Sequence, residues 1–169
     1  MKEAGLRKLF EGQLAEMYGA EQQLQSLLPK LAAKSHTAQV RAAFLKQHVE
    51  TEGQLKRLEK VFRLLGKVPK SENCAALEGI IREAGVFMHQ YDQSSALDAA
   101  LVATGQKADH YGIATYGFMC EWAKELGLSS VQDLFHQTLE EKIAADERSS
   151  LIAERSVISE AVPQMVKKT

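Results

Sequence analysis

The sequence predicts an all-α protein, a four-helix bundle with one long crossover that carries a short fifth helix. Three observations predict it. Apolar residues recur at three- and four-residue spacing almost throughout, the signature of amphipathic helices. The 169 residues include only three prolines and no long β-branched run that would favour sheet. Two tight connections, near residues 35 and 128, flank a much longer one over residues 66 to 94.

The first helix is expected over Glu3 to Ala33, with the stripe Phe10, Leu14, Met17, Glu21, Leu24, Leu28 and Leu31. Pro29 predicts a kink in its last turn. Ser35-His36-Thr37 supplies capping hydroxyls at a tight connection. The second helix follows from Ala38 to Leu65, with the stripe Val40, Phe44, His48, Thr51, Leu55, Leu58, Phe62 and Leu65. Gly66 stops it, and Pro69 lies just beyond. A shorter third helix spans Cys74 to Tyr91, apolar at Leu77, Ile80, Ile81, Ala84, Phe87 and Met88. The fourth begins after Ser94-Ser95, where Ser95 and Asp98 form a capping-box pattern, and ends at Gly127. Ser130 and Asp133 repeat that pattern for the fifth, which runs to about Val157. Residues 1–160 therefore read as one domain and 161–169 as a flexible tail.

Two antiparallel hairpins joined by a long crossover define the ferritin-like version of the bundle. A five-helix up-and-down bundle is the competing topology.

Composition narrows the function classes. Apolar residues make up 45% and charged residues 25%, an ordinary globular balance. With 21 basic and 22 acidic side chains the net charge is −1, so no long-range field draws nucleic acid or an anionic membrane. No apolar stretch is long enough to span a bilayer, and the N-terminal segment lacks the apolar core of a secretory signal. Cys74 and Cys120 fall in no CxxC motif and read as buried thiols. The expected compartment is the cytoplasm.

One residue breaks the apolar pattern of helix one. Glu21 sits in its stripe, and it either edges the interface or needs a cation or strong hydrogen bonds inside it. Glu21 lies about 14 residues before the turn at 35, and an equal count into helix two reaches Glu50. The same counting along helices four and five reaches Asp109 and Asp146. Four carboxylates on four helices thus fall at one height, although height does not fix direction. Such a set is how ferritin-like bundles hold two iron or manganese ions. The Glu-x-x-His pairs usual in those sites are absent; Asp133 and His136 have the spacing but lie at the start of helix five. His36 and His89 read as helix-end residues, His48 as a hydrogen-bonded core histidine, and Tyr18, Tyr111, Tyr116 and Trp122 as core.

Several strings together resemble a known family. They are Tyr18-Gly19-Ala20-Glu21-Gln22-Gln23-Leu24, then Glu50-Thr51-Glu52-Gly53-Gln54-Leu55, then Cys74-Ala75-Ala76-Leu77-Glu78-Gly79. Gln106 to Gly117, which includes Asp109-His110-Tyr111-Gly112, and Thr138-Leu139-Glu140-Glu141-Lys142 complete the series. In this order they resemble the YciF/YciE-like bacterial stress-response family over nearly the whole chain. The resemblance implies a ferritin-like fold and a homodimer. A first hypothesis places iron or manganese among Glu21, Glu50, Asp109 and Asp146, the four carboxylates that counting brings to one height, with His110 or Glu141 as outer helpers. Oxidase-like or peroxide-scavenging chemistry would follow from such a centre. The chain departs from the family pattern at three places. Asp109 replaces the first Glu of Glu-His-Tyr-Glu, Gly112 replaces the second, and Lys142 replaces an acid of the helix-five motif. Helix two carries Gln54 where relatives have His or Gln. The alternative is therefore a metal-free structural or interaction module, in which Lys142 pairs with Glu21, Glu50 or Asp109.

Overall fold

The structure is a computed structural model, and it describes residues 2–154. These residues form five helices: α1 (Lys2–Lys34), α2 (Ala38–Leu64), α3 (Ala75–Gln90), α4 (Leu97–Glu125) and α5 (Ser129–Ile152). The hairpins α1/α2 and α4/α5 are the most extensive pairs, and α2 lies on α5 while α1 lies on α4. α3 sits in the crossover and covers α1 and α4. The predicted all-α bundle with one long crossover and a short extra helix is the architecture found. Among the described residues no helix is long and apolar enough to cross a membrane.

Helix ends follow from local chemistry. Thr37 caps α2 by accepting from the Val40 amide at 3.3 Å, and the Cys74 thiol accepts from Leu77 at the start of α3. Gly66 and Gly127 take left-handed φ values of 69° and 68° just past α2 and α4. Beside them the Lys67 amide donates to Phe62 and that of Leu128 to Ala123, both at 2.8 Å, which completes a glycine C-cap at each end.

Both expected capping boxes are corrected. No side chain caps α4 at Ala96 or α5 at Leu128. Asp98 instead reaches out of α4 to accept the His36 and Thr37 amides, each at 2.8 Å, and so ties the entry of α2 to the entry of α4. α4 stops at Glu125, two residues short of the expected Gly127. Helical residues continue past Pro29 to Lys34. The expected end of helix five near Val157 and the tail 161–169 lie outside the described residues.

The core is a continuous apolar column that includes Phe10, Leu14, Met17, Leu28, Leu58, Leu101, Met119 and Phe135. The buried face of α2 is Val40, Phe44, Gln47, Thr51, Gln54, Leu58, Val61 and Phe62. This corrects the expected stripe, because His48 and Leu55 turn partly outward and two glutamines point in.

The crossover is fastened to α1 at Gly19. The Glu72 amide donates to the Ala15 carbonyl at 2.9 Å, and a Cβ at Gly19 would lie 1.8 Å from the Glu72 carbonyl oxygen. That neighbour is backbone, so it cannot rotate away. Gly19→Ala should therefore push the crossover off α1 and cost about 1–3 kcal/mol as an overpacking change. Urea unfolding checks this, and a midpoint equal to that of the parent would show that the loop is not clamped there.

Candidate functional site

The polar residues gather in one layer across the middle of the bundle. Glu21 from α1 and Lys142 from α5 meet there, Nζ to Oε2 at 3.1 Å, with side chains only 1% and 3% exposed. Tyr116 of α4, fully buried, donates its hydroxyl to the other oxygen of Glu21 at 3.1 Å. Burial, then the adjacent Glu21 charge, push the Tyr116 phenol well above its ordinary range, so it stays a donor. The stem of Lys142 lies along Gly112, where an added Cβ would come within 3.3 Å of Cδ and Cε. The missing side chain at 112 is the room that Lys142 occupies.

A second bridge crosses the same layer. Asp109 of α4, with no exposed surface, accepts from Gln47 Nε2 of α2 at 2.6 Å. Its other oxygen has no hydrogen-bond partner, and neither do Thr51 Oγ1 and Gln54 Oε1 of α2. Burial raises the Asp109 carboxyl to about 7; the Glu21 and Asp146 charges add to this, while Lys142 and the Gln47 hydrogen bond oppose it. A cavity of about 10 Å³ lies beside Glu21, Gly112 and Lys142.

Of the four carboxylates expected together, the structure brings Glu21 and Asp109 into this layer. Glu50 is turned to the α2/α5 seam and pairs with Arg148 at 2.5 Å. Asp146 is turned to the α4/α5 seam, 3.0 Å from His110 and 3.3 Å from Gln106. The counting was a turn off on both helices, and the inward residues at this level are Gln47 and Lys142. Glu141 and Arg57 form a forked ion pair one layer along, and Gln54 and Thr138 attach to it at 3.1 and 3.0 Å. His110 is mostly exposed. Tyr116 is a core residue as expected, whereas Tyr18, Tyr111 and Trp122 are only partly buried. Gln47 was missed, and Gln54, noted only through the family resemblance, was left out of the inward stripe, because a stripe read from apolar residues passes over glutamine.

A carboxylate di-metal centre does not fit this donor set. Such a centre needs several anionic oxygens or imidazoles converging on each ion. Among the described residues no three His, Cys, Asp or Glu side chains come together in that way. The ammonium of Lys142 stands where Glu21 would meet a metal, and the remaining buried carboxyl, Asp109, keeps its proton at mildly acidic pH.

Fold and site together define a helical bundle whose central polar layer is neutralised by its own side chains. The chain belongs to the family described as domain of unknown function DUF892, whose model matches residues 5–162. It is 35% identical over 149 residues to protein YciF of Escherichia coli strain K12, covering 88% of this chain and 90% of that one. The crystal structure of that E. coli protein, described as a stress protein, superposes with a TM-score of 0.86 at 34% identity over 90% of this chain and 97% of that one. YcfI of Rhodopseudomonas palustris, described as a candidate structural protein, superposes with a TM-score of 0.82 at 33% identity, covering 86% and 92%.

Proposed function

We propose that this chain is a metal-free member of a ferritin-like family, a structural or protein-interaction module that acts in the cytoplasm as a homodimer. The observation that carries this reading is the Glu21–Lys142 pair. A cation is already built into the layer, so the charge of Glu21 is balanced without an ion from solution. The candidate structural role described for the R. palustris relative agrees with it. Stress association follows the description of the E. coli relative.

The competing reading is an iron- or manganese-binding bundle that uses Glu21, Glu50, Asp109 and Asp146. It requires Glu50 and Asp146 to leave Arg148 and His110 and swing inward. Elemental analysis after anaerobic reconstitution with ferrous or manganous ion separates the two. The expected result is far below one ion per chain, and light scattering on the same sample is expected to give twice the chain mass. Two ions per chain, lost in Glu21→Gln and Asp109→Asn, would establish the metal reading instead.

A further inference from the structure

We propose that Lys142 and Glu21 condense to a side-chain amide, a covalent tie between α5 and α1 made by the folded chain itself. The proposal rests on the reading that no metal ion takes the centre of the bundle.

Four features of the layer carry it. An amine nitrogen and a carboxyl oxygen are 3.1 Å apart and almost wholly withdrawn from water. The Lys142 stem fills the room left by the missing side chain at Gly112, and only 3% of the side chain is exposed. Tyr116 donates to Oε1, the oxygen that does not face Lys142, and so can hold the negative charge that develops there during attack. The adjoining cavity of about 10 Å³ is close to the space needed by one water, the by-product of the reaction.

The steps balance without an added reagent. A proton passes from the ammonium to Oε2, which leaves a neutral amine and a neutral acid in a dry site where separated charge is disfavoured. The amine lone pair then attacks Cδ of Glu21. The C–N bond forms, and the carbonyl π pair moves onto Oε1 against the Tyr116 O–H. As that pair returns, the Cδ–Oε2 bond breaks and the hydroxyl leaves with a proton from nitrogen. Ammonium plus carboxylate has become amide plus one water, with no oxidant or reductant. Fixing the reactants in contact supplies the advantage that free groups in solution lack, and the product removes two charges from the core.

Intact-mass measurement on the folded, full-length chain tests this. The expected result is a mass lower than the sequence mass by one water. Digestion should yield a branched peptide that joins the α1 and α5 segments, with fragmentation locating the link at Glu21 and Lys142. Lys142→Arg, which keeps the positive charge, should show the full mass. Tyr116→Phe should accumulate the dehydrated form about a hundredfold more slowly, as removal of an oxyanion donor does. A full-mass parent chain, or water loss mapped to any other residue, would overturn the proposal. Metal analysis of the same sample tells the two failures apart. A full-mass, metal-free chain discards the amide alone, whereas stoichiometric iron or manganese discards the metal-free reading with it.

Discussion

Lys142→Met should destabilise the protein by about 3–5 kcal/mol, the usual cost of leaving one member of a buried pair without its partner. Methionine fills the space of the lysine stem on Gly112, so little of the loss should come from packing. What remains is Glu21 in a site with 1% exposure and one hydrogen bond, from Tyr116. For a domain whose whole stability is about 5–15 kcal/mol, that is a large share. Removing both charges should behave very differently. Glu21→Met with Lys142→Met should recover most of the loss, because apolar replacement of a buried pair is often neutral or stabilising by about 1–4 kcal/mol. The orphaned Tyr116 hydroxyl should hold back part of that recovery. Chemical denaturation of the two single variants, the double variant and freshly made parent at its full sequence mass, in which the pair is still ionic, gives the coupling directly. If Lys142→Met unfolds at the parent's midpoint, the pair does not carry the layer.

The second large effect is a pH dependence centred on Asp109. Its carboxyl titrates near 3.8 in an unfolded chain and at about 7 in the folded one, chiefly because burial penalises its charge. Between those values the folded protein holds a proton that the unfolded chain has released, so raising the pH favours unfolding. The contribution is fully present below about pH 4, is lost at roughly 1.4 kcal/mol per pH unit as pH rises toward 7, and is constant above that. Asp109→Asn retains an oxygen for the Gln47 amide but has no proton to lose. Subtracting its stability profile from that of the parent should therefore reveal this slope between about pH 4 and 7 and a plateau above. A difference that stays flat across the interval would mean that Asp109 is ionised throughout and that its neighbours compensate it fully.

The helices and their pairing were legible because they depend on spacing and punctuation that one sequence displays. Gly66 and Gly127 mark the ends of α2 and α4 by their backbone freedom. The layer was legible only in part. Glu21 stood out as a charge within an apolar stripe, and Lys142 as a base in place of an acid. Direction failed on α2, where the inward residues Val40, Phe44, Gln47, Thr51, Gln54, Leu58 and Val61 step by four and three in turn and Phe62 is buried beside the last of them. Following hydrophobicity alone shifted the stripe to His48 and Leu55, because the inward residues at this level are polar. The caps failed for a different reason. Asp98 has the spacing of a local capping residue, yet two amides from another helix entry offered it better partners. Sequence distance conceals such a tertiary cap, and an acid in the first turn reads alike in both cases.

The Asp98 tie and the Glu21–Lys142 pair also bear on how the halves of the molecule find each other. Glu21 and Lys142 are 121 positions apart and belong to different hairpins. Sliding one hairpin past the other by a single turn, about 5.4 Å, would keep much apolar surface covered. It would also strand an ammonium and a carboxylate in separate oily surroundings and strip two amides of their acceptor. Greasy surfaces tolerate many alignments, whereas these polar connections accept one. The bundle thus carries its own alignment key, and a chain assembled out of step is left strained enough to come apart and try again.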